Sequence, residues 1–388
     1  MLKTFLLQPR QTVLRRVMFQ IHLWAGLGLG LWLAVVSVTG VMLVFKDESL
    51  ALAYPNLYRA AKTGAPTVSI DTIVDLVTSK YPRHNFRRID VPTPGRDTYL
   101  IMALHAGAYR QIFAHPDTGA VLGQLPKPSF ISIVEEVHGN LLAGGPGRII
   151  DCTLALLALL LISAGVIIWW PGAKRWWKAL GLKVNRGGTT IRALHGTIGI
   201  WTFAFIAMFA ATGSLYYFSP VVYRGLARVS QLSDMPVHYS NPNLNGAKPR
   251  PDIQSLIDGA QQGSPDRKLW GVFLPMSEKG AIRVVLGPVG KEIGRDRWEW
   301  NDSGQRNFYF DQYSGELLHQ WDTTNNTLAD FVRSWWVKLH TGDFGGVGVK
   351  TLWALTGLAP VALFVLGVMM WWKRVVRPER AGLLRDGQ

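Results

Sequence analysis

The stretch QIHLWAGLGLGLWLAVVSVTG, residues 20–40, is apolar over most of its length and yet contains His22. About 20 helical residues cross a hydrocarbon core of roughly 30 Å, so this stretch is long enough to span a bilayer. An ionisable ring in such a segment costs free energy unless a partner compensates for it. The same conflict recurs at His195 in RALHGTIGIWTFAFIAMFAATG, residues 192–213. The two histidines therefore need an explanation.

Apolar runs of this length predict an α-helical membrane protein with four transmembrane helices. Every backbone polar group must be paired inside lipid, which requires each span to be a helix. The first apolar stretch is too long for a secretory signal, so we expect a retained anchor and not a cleaved segment. The predicted spans are residues 17–45, 148–170, 194–218 and 351–372.

The net charge of +15 is concentrated in three short segments, residues 1–16, 171–193 and 373–388. Basic loops face the cytoplasm in membrane proteins, so both termini and the central loop are predicted to be cytoplasmic. The two long connections then lie outside. Because topology accounts for the charge, no nucleic-acid partner is expected. Cys152 is the single cysteine, which excludes an intrachain disulfide and a covalent CxxCH haem attachment.

The chain reads as an internal duplication of one unit, in which a span, an outer domain and a second span follow each other. Equal spacings relate two sets of residues in the halves. In the odd-numbered spans these are His22, Gly26, Thr39 and Gly40, matched by His195, Gly199, Thr212 and Gly213. Around the even-numbered spans they are His138, Arg148 and Gly165, matched by His340, Lys350 and Gly367.

Each outer region contains a helical pattern followed by short strand-like runs, which predicts two α+β domains. VSIDTIVDLVTSKYP opens the first region, and DIQSLIDGAQQG occupies the same place in the second. The predicted outer domains are residues 46–128 and 219–328. Each is followed by a helix at the membrane interface, at residues 129–147 and 329–350.

Two histidine pairs at two depths follow from this arrangement. His22 and His195 lie near the inner ends of their spans, whereas His138 and His340 precede the even-numbered spans on the outer side. Zinc takes three or four protein ligands, but haem iron needs only two axial ones. The pattern therefore favours two non-covalent b-type haems, each held by two histidines.

Further residues are candidates for contacts with these cofactors. Gly26 and Gly199 fall one helical turn beyond their histidines and would leave room for a flat macrocycle. Arg192 is placed to pair with haem propionates on the inner side, and Arg148 and Lys350 on the outer side. Another metal, a proton relay, or histidines and glycines that only pack helices remain alternatives. No catalytic residue is identified.

The paired hairpins HPDTGAVLG and DQYSGELLH, together with RALHGTIGIW, EEVHGNLL, WWPGAKR and WWKRVVR, resemble the PepSY-associated transmembrane family. Within it the chain is similar to inner-membrane di-haem ferric-siderophore reductases of Gram-negative bacteria. This resemblance implies PepSY-like periplasmic domains, a bacterial inner-membrane location, and transfer of electrons to a ferric siderophore. Ferrous iron would then be released. In this family His22, His195, His138 and His340 would be the iron ligands.

The electron donor would be a membrane quinol or a cytoplasmic reductase, because no dinucleotide-binding motif follows a strand. Two other functions compete with the redox interpretation. A siderophore or iron transporter is disfavoured by the lack of paired inward-facing acids and of broken helix pairs. A PepSY-type binding or regulatory protein would leave the four histidines unexplained.

Overall fold

The computed structural model describes residues 13–61, 68–181, 184–185, 188–231, 239–242, 251–289, 304–323 and 327–383. The chain divides into two compact units. The membrane unit comprises Met1–Phe45, Phe130–Val222 and Trp336–Gln388, and the sheet unit comprises Lys46–Ser129 and Tyr223–Trp335.

The membrane unit contains four helices that are long and apolar enough to cross a bilayer, as the sequence predicts. All four extend beyond the predicted spans at one or both ends, because helical hydrogen bonding continues into more polar residues. Pro220 is tolerated inside the third helix. Their bounds are Val13–Val44, Gly144–Trp169, Ile191–Leu226 and Gly346–Val375.

The fourth span has an interruption in the middle. One helix ends at Gly357 and the next begins at Ala359, directly before Pro360. Proline lacks the N–H that would continue the hydrogen-bond ladder and clashes with the preceding turn, so the break occurs there.

In chain order, the helices are numbered α1 to α12, and their bounds follow. They are α1 Val13–Val44, α2 Lys46–Ala53, α3 Pro55–Tyr58, α4 Ile70–Lys80, α5 Phe130–Asn140, α6 Gly144–Trp169, α7 Trp176–Ala179, α8 Ile191–Leu226, α9 Ile253–Gln262, α10 Leu328–Thr341, α11 Gly346–Gly357 and α12 Ala359–Leu383.

The predicted interfacial helices are shorter than expected. We predicted an interfacial helix in residues 129–147, broken at the glycines from Gly144 to Gly147, but α5 already ends at Asn140 and α6 includes those glycines from Gly144 onward. Leu141 and Leu142 between them have positive φ angles of 54° and 61°, which an α-helix does not accommodate. Likewise α10 ends at Thr341 and α11 begins at Gly346, near glycines with positive φ. The turns therefore separate each short helix from the span that follows.

The sheet unit is built on one antiparallel sheet of eight strands, in the order β10-β9-β8-β7-β1-β2-β3-β4. A separate two-stranded hairpin pairs β5 Val184–Asn185 with β6 Gly188–Thr189. The eight strands are β1 Asn85–Asp90, β2 Tyr99–His105, β3 Ala108–Ala114, β4 Val121–Gln124, β7 Arg267–Phe273, β8 Ala281–Pro288, β9 Arg306–Asp311 and β10 Leu317–Asp322.

The two outer regions, which we expected as two domains, share this sheet. In each region a helix is followed by strands, as predicted: α4 and α9 each precede four strands. The halves join where β1 pairs with β7. Ile89 opposite Val272 lies at this junction, and both side chains are fully buried. This pairing of β1 with β7 covers one edge of each four-stranded half, which would otherwise be exposed.

Helices α4 and α9 hold each other's N-termini. Asp71 on α4 accepts hydrogen bonds from the backbone N–H groups of Ile253 and Gln254, at 3.0 and 2.8 Å. In return, the side-chain oxygen of Gln254 accepts from the Ile70 N–H at 3.2 Å. Free N–H groups at a helix start need such acceptors. Behind these contacts, apolar side chains of both helices and of the central strands form one core.

Candidate functional site

The inner histidine pair joins the first and third spans. The rings of His22 on α1 and His195 on α8 have centroids 6.2 Å apart and planes at 86°. The Nδ1 of His22 lies 3.0 Å from the Leu161 carbonyl oxygen on α6. A Cβ added to Gly165, one turn further along α6, would come within 3.0 Å of the His22 Cε1. The second span therefore both hydrogen-bonds this ring and makes room for it.

The fourth span supports His195 in the same way, but less tightly. Its Nδ1 is buried near the Leu363 carbonyl, in a geometry short of a regular hydrogen bond. A Cβ added to Gly367 would lie 3.9 Å from the His195 Cε1, an ordinary contact distance. Leu363 precedes Gly367 by four residues, as Leu161 precedes Gly165. The two supports thus occupy equivalent positions.

The outer pair joins the two short helices that precede the even-numbered spans. The ring centroids of His138 on α5 and His340 on α10 lie 6.0 Å apart, with planes at 47°. The structure therefore brings together the partners that the sequence pairs, at both levels. The two pairs lie far apart along α1. His22 belongs to the inner pair and Gly40 contacts His138 of the outer pair, and these two residues are 18 positions apart, or about 27 Å along a helix axis at 1.5 Å per residue.

Each outer histidine ring contacts one threonine and one glycine of an odd-numbered span. The Nδ1 of His138 lies 3.0 Å from the Val36 carbonyl oxygen and 3.2 Å from the Thr39 hydroxyl. Because that hydroxyl donates to the Val35 carbonyl, it can accept from the ring N–H. A Cβ on Gly40 would come within 2.9 Å of the His138 Cε1. Glycine is therefore required for the observed approach.

His340 has equivalent contacts on α8. Its Nδ1 lies 3.0 Å from the Thr212 hydroxyl and close to the Phe209 carbonyl. A Cβ on Gly213 would lie 3.2 Å from its Cε1. The spacing Phe209, Thr212, Gly213 repeats that of Val36, Thr39, Gly40.

These contacts determine the tautomer of the rings. With Nδ1 protonated and donating to a carbonyl, Nε2 carries the lone pair that binds metals. Within the described residues, the hydrogen bonds to the rings of His22, His138 and His340 are made at Nδ1, which leaves their Nε2 without a protein partner. A backbone carbonyl on the other ring nitrogen is the usual support for a metal-binding histidine.

The ring spacing suits two axial ligands on one metal. Metal–imidazole bonds of about 2.1 Å on both sides, with centroids about 1 Å behind each nitrogen, separate two centroids by about 6 Å. The part of the chain that the structure describes contains no group of three or more His, Cys, Asp or Glu side chains placed to hold a metal ion. The pairs therefore fit a metal that brings its own equatorial ligands, as a porphyrin does.

Comparison with known proteins identifies the family of this chain. The profile described as "PepSY-associated TM region" matches residues 19–374, which contain both histidine pairs and all eight long strands. The chain belongs to the PepSY-associated transmembrane family. It is also 31% identical over 117 residues to the uncharacterized protein PA4219 of Pseudomonas aeruginosa. That match covers 29% of this chain and about a quarter, 26%, of the relative.

The remaining candidate residues of this PepSY-associated protein lie in different surroundings. Gly26 faces Leu161 at 3.9 Å from an added Cβ, and Gly199 faces Leu363 at 3.7 Å, so both adjoin a neighbouring span and not a histidine. Arg192 lines a cavity at the basic end of the bundle. Arg148 is exposed at the start of α6, and Lys350 is half-buried on α11.

Sequence reasoning missed two kinds of residue. Gly40, Gly213, Gly165 and Gly367 were visible in the repeat pattern, but only the structure shows that they face the histidines. Asp151 is an acid inside the second span, and it accepts a 2.8 Å hydrogen bond from the Trp32 indole. An isolated acid in a predicted span is itself a signal, because such residues need a partner.

Proposed function

We propose that this protein is a di-haem membrane oxidoreductase of the bacterial inner membrane, which reduces a ferric siderophore in the periplasm and releases ferrous iron. One observation carries the proposal. Two histidine pairs, with ring centroids 6.2 and 6.0 Å apart, lie at two levels of one bundle and are supported by equivalent carbonyls and glycines in its two halves.

His22 and His195 would hold one haem b, and His138 and His340 the other. When bound, haem supplies one-electron chemistry at a potential set by its axial ligands and burial. The residues of the chain fix that environment. Carbonyls at Nδ1 orient the rings and raise the basicity of Nε2, and the glycines bring the helices close enough to exclude water.

Internal duplication explains why the two sites match. We infer that each half contributes one inner and one outer histidine, so that both pairs form only when the halves assemble. With the basic segments inside, the outer pair lies on the periplasmic side. Each ferric ion takes up one electron there, which weakens its hold on hard oxygen ligands, and a quinol or cytoplasmic reductase replaces the electron.

A ferrous-trap assay tests the proposal. The purified protein is reduced with dithionite, freed of excess reductant, and mixed with a panel of ferric chelates and a ferrous-specific dye. We expect one or more chelates to yield ferrous iron and to reoxidise the protein. His195→Ala and His340→Ala should each abolish the yield.

His115→Ala is the matched control, because this histidine belongs to the sheet unit and caps a turn there. It should keep the ferrous yield of the unchanged protein. Equal yields from all three variants would contradict the proposal, as would a preparation that dithionite does not reduce.

A further inference from the structure

A cavity of about 1040 Å³ opens at the basic end of the membrane unit. The ends of all four spans line it, and four of the lining residues are arginines: Arg15, Arg16, Arg192 and Arg374. No acidic side chain is among the described residues that line it. Like charges gathered around a void repel each other, so the arrangement favours an anionic ligand.

Part of the cavity wall is apolar. Val17, Phe19 and Ile168 line it together with the arginines, and Arg374 lies 5.3 Å from the centre of the Phe19 ring. A ligand that matches both features has anionic oxygens at one end and hydrocarbon at the other. Guanidinium groups bind phosphate oxygens through two parallel hydrogen bonds.

The volume agrees with such a ligand. Ligand pockets usually measure roughly 300–1,000 Å³, and this cavity is slightly larger than that range. A free phosphate would leave most of the space and the apolar wall unused. Basic pockets between spans on the cytoplasmic side are a known form of lipid headgroup site.

We propose that this cavity binds the phosphate-bearing headgroup of an anionic phospholipid of the inner leaflet. Arg16 and Arg374, on the first and fourth spans, hold the phosphate, and the chains lie against Phe19 and Ile168. The lipid would bridge spans that are far apart in sequence. Arg192, which the sequence places near the propionates of the proposed inner haem, also lines this cavity, and His22 and His195 each lie two residues beyond a lining residue, Gln20 and Ala193. The proposed phosphate ligands, Arg16 and Arg374, are not among the residues assigned to haem.

Native mass spectrometry of the full chain tests this site. Delipidated protein is titrated with dioctanoyl phosphatidylglycerol, with phosphatidylcholine of the same chain length as the neutral probe and inorganic phosphate as a competitor. We expect phosphatidylglycerol to bind at least tenfold more tightly than phosphatidylcholine, and millimolar phosphate to compete weakly.

Arg16→Gln with Arg374→Gln should weaken phosphatidylglycerol binding at least tenfold. Arg175→Gln with Lys178→Gln is the matched control, since it removes the same charge from exposed positions on the same side. It should change binding less than twofold. Should the double arginine variant fail to fold, Arg374→Lys keeps the charge but loses the forked donor, and a severalfold loss is expected.

The inference is overturned if both lipids bind equally, if the control pair loses as much as the arginine pair, or if phosphate alone displaces the lipid completely. His22→Ala with His195→Ala separates the cavity from the proposed haem. That variant should keep phosphatidylglycerol binding, and its loss would assign the arginines to the haem site. A protein without any haem would leave the lipid result standing.

Discussion

In the two halves of the membrane unit the histidines have equivalent neighbours. The residues that lie between the inner and the outer pair, however, differ from one half to the other. Trp32 lies ten residues after His22, and Phe205 lies ten after His195. In the first half the Trp32 indole donates to the Asp151 carboxylate at 2.8 Å. At the equivalent place in the second half, Phe205 contacts Trp353 edge to face, with centroids 5.8 Å apart.

This contrast separates the parts of the fold that a site needs from the parts that only pack helices. Carbonyl, threonine and glycine recur around both outer histidines, because a ring of fixed tautomer and position requires them. The layer between the levels is filled once by a hydrogen-bonded acid and once by aromatic rings. Either filling satisfies a helix contact, so the two halves are free to differ there.

The largest effect is expected where the matched glycines differ. Gly165→Ala places a methyl group 3.0 Å from the His22 ring, whereas Gly367→Ala places one 3.9 Å from His195. A contact as short as the first forces the ring to shift, and the second does not. We expect Gly165→Ala to lower severalfold the content of the haem that we propose at the inner pair, and Gly367→Ala to leave it unchanged, measured by absorbance per chain.

Gly28→Ala is the control, because an added Cβ there meets nothing within 4 Å. Equal losses in Gly165→Ala and Gly367→Ala would show that the inner ring is not held by close approach to the second span.

The polar filling of the first half is tested at Asp151. Asp151→Leu leaves the Trp32 N–H without this acceptor, which costs about 1–3 kcal/mol in this partly buried site. Asp151→Asn keeps a carbonyl oxygen and should stay within about 1 kcal/mol of the unchanged protein. Unfolding in mixed micelles measures both. If Asn costs as much as Leu, the charge and not the hydrogen bond is what the helix pair uses.

The sheet unit offers a parallel contrast between its turns. His115 and Asp311 occupy matching positions before Gly119 and Gly315, whose N–H groups bond their carbonyls at 2.9 Å. His115 Nδ1 accepts from the Asp117 N–H, whereas the Asp311 carboxylate accepts from Tyr313, Ser314 and Asn241. One turn is capped by an imidazole and the other by a carboxylate.

Acid should therefore weaken the second turn. Burial raises the pKa of Asp311, but the N–H groups of Ser314, Asn241 and Tyr313 outweigh it and hold that pKa below its ordinary value. A lowered pKa gives stability that is present above about pH 3.9, the unfolded value, and is lost as pH falls below it.

We expect Asp311→Asn to cost about 1–3 kcal/mol at neutral pH and to flatten the acid limb. Hydrogen exchange of the β9–β10 turn against pH measures this, with the β3–β4 turn as the internal reference. An unchanged acid limb in the variant would contradict the assignment.

The smallest effect is expected at the threonines. Thr39→Val and Thr212→Val each remove one acceptor from an outer histidine but leave a carbonyl in place. The expected cost is about 0.5–1.5 kcal/mol in each case, because the remaining partner satisfies the N–H. The haem that we propose at the outer pair should stay bound, and its midpoint potential should shift by a similar amount in both variants. A loss of the haem in only one of them would break the equivalence of the halves.

Much of this arrangement could be predicted from the sequence. Span length and apolar composition predicted four helices, and equal spacings from His22 and His195 predicted which histidines pair. Both are one-dimensional signals, because a helix repeats every 3.6 residues and a duplication keeps its spacings. The predicted histidine pairs agree with the structure for this reason.

Other features depend on contacts between distant segments, which spacing does not encode. Gly165 lies in the repeat pattern, but its approach to His22 depends on how two helices rotate about their axes. Trp32 and Asp151 likewise gave no pairwise signal. The two outer regions form a single sheet because β1 pairs with β7. The sequences of two strands do not show whether the strands pair with each other.

The haem content of the unmodified protein tests the central claim most directly. Protein purified from cells supplied with haem precursors should contain two non-covalent haems b per chain, with a low-spin absorption spectrum that sharpens on reduction. A colourless protein, or one whose folded chains bind no haem when it is added, would contradict the account.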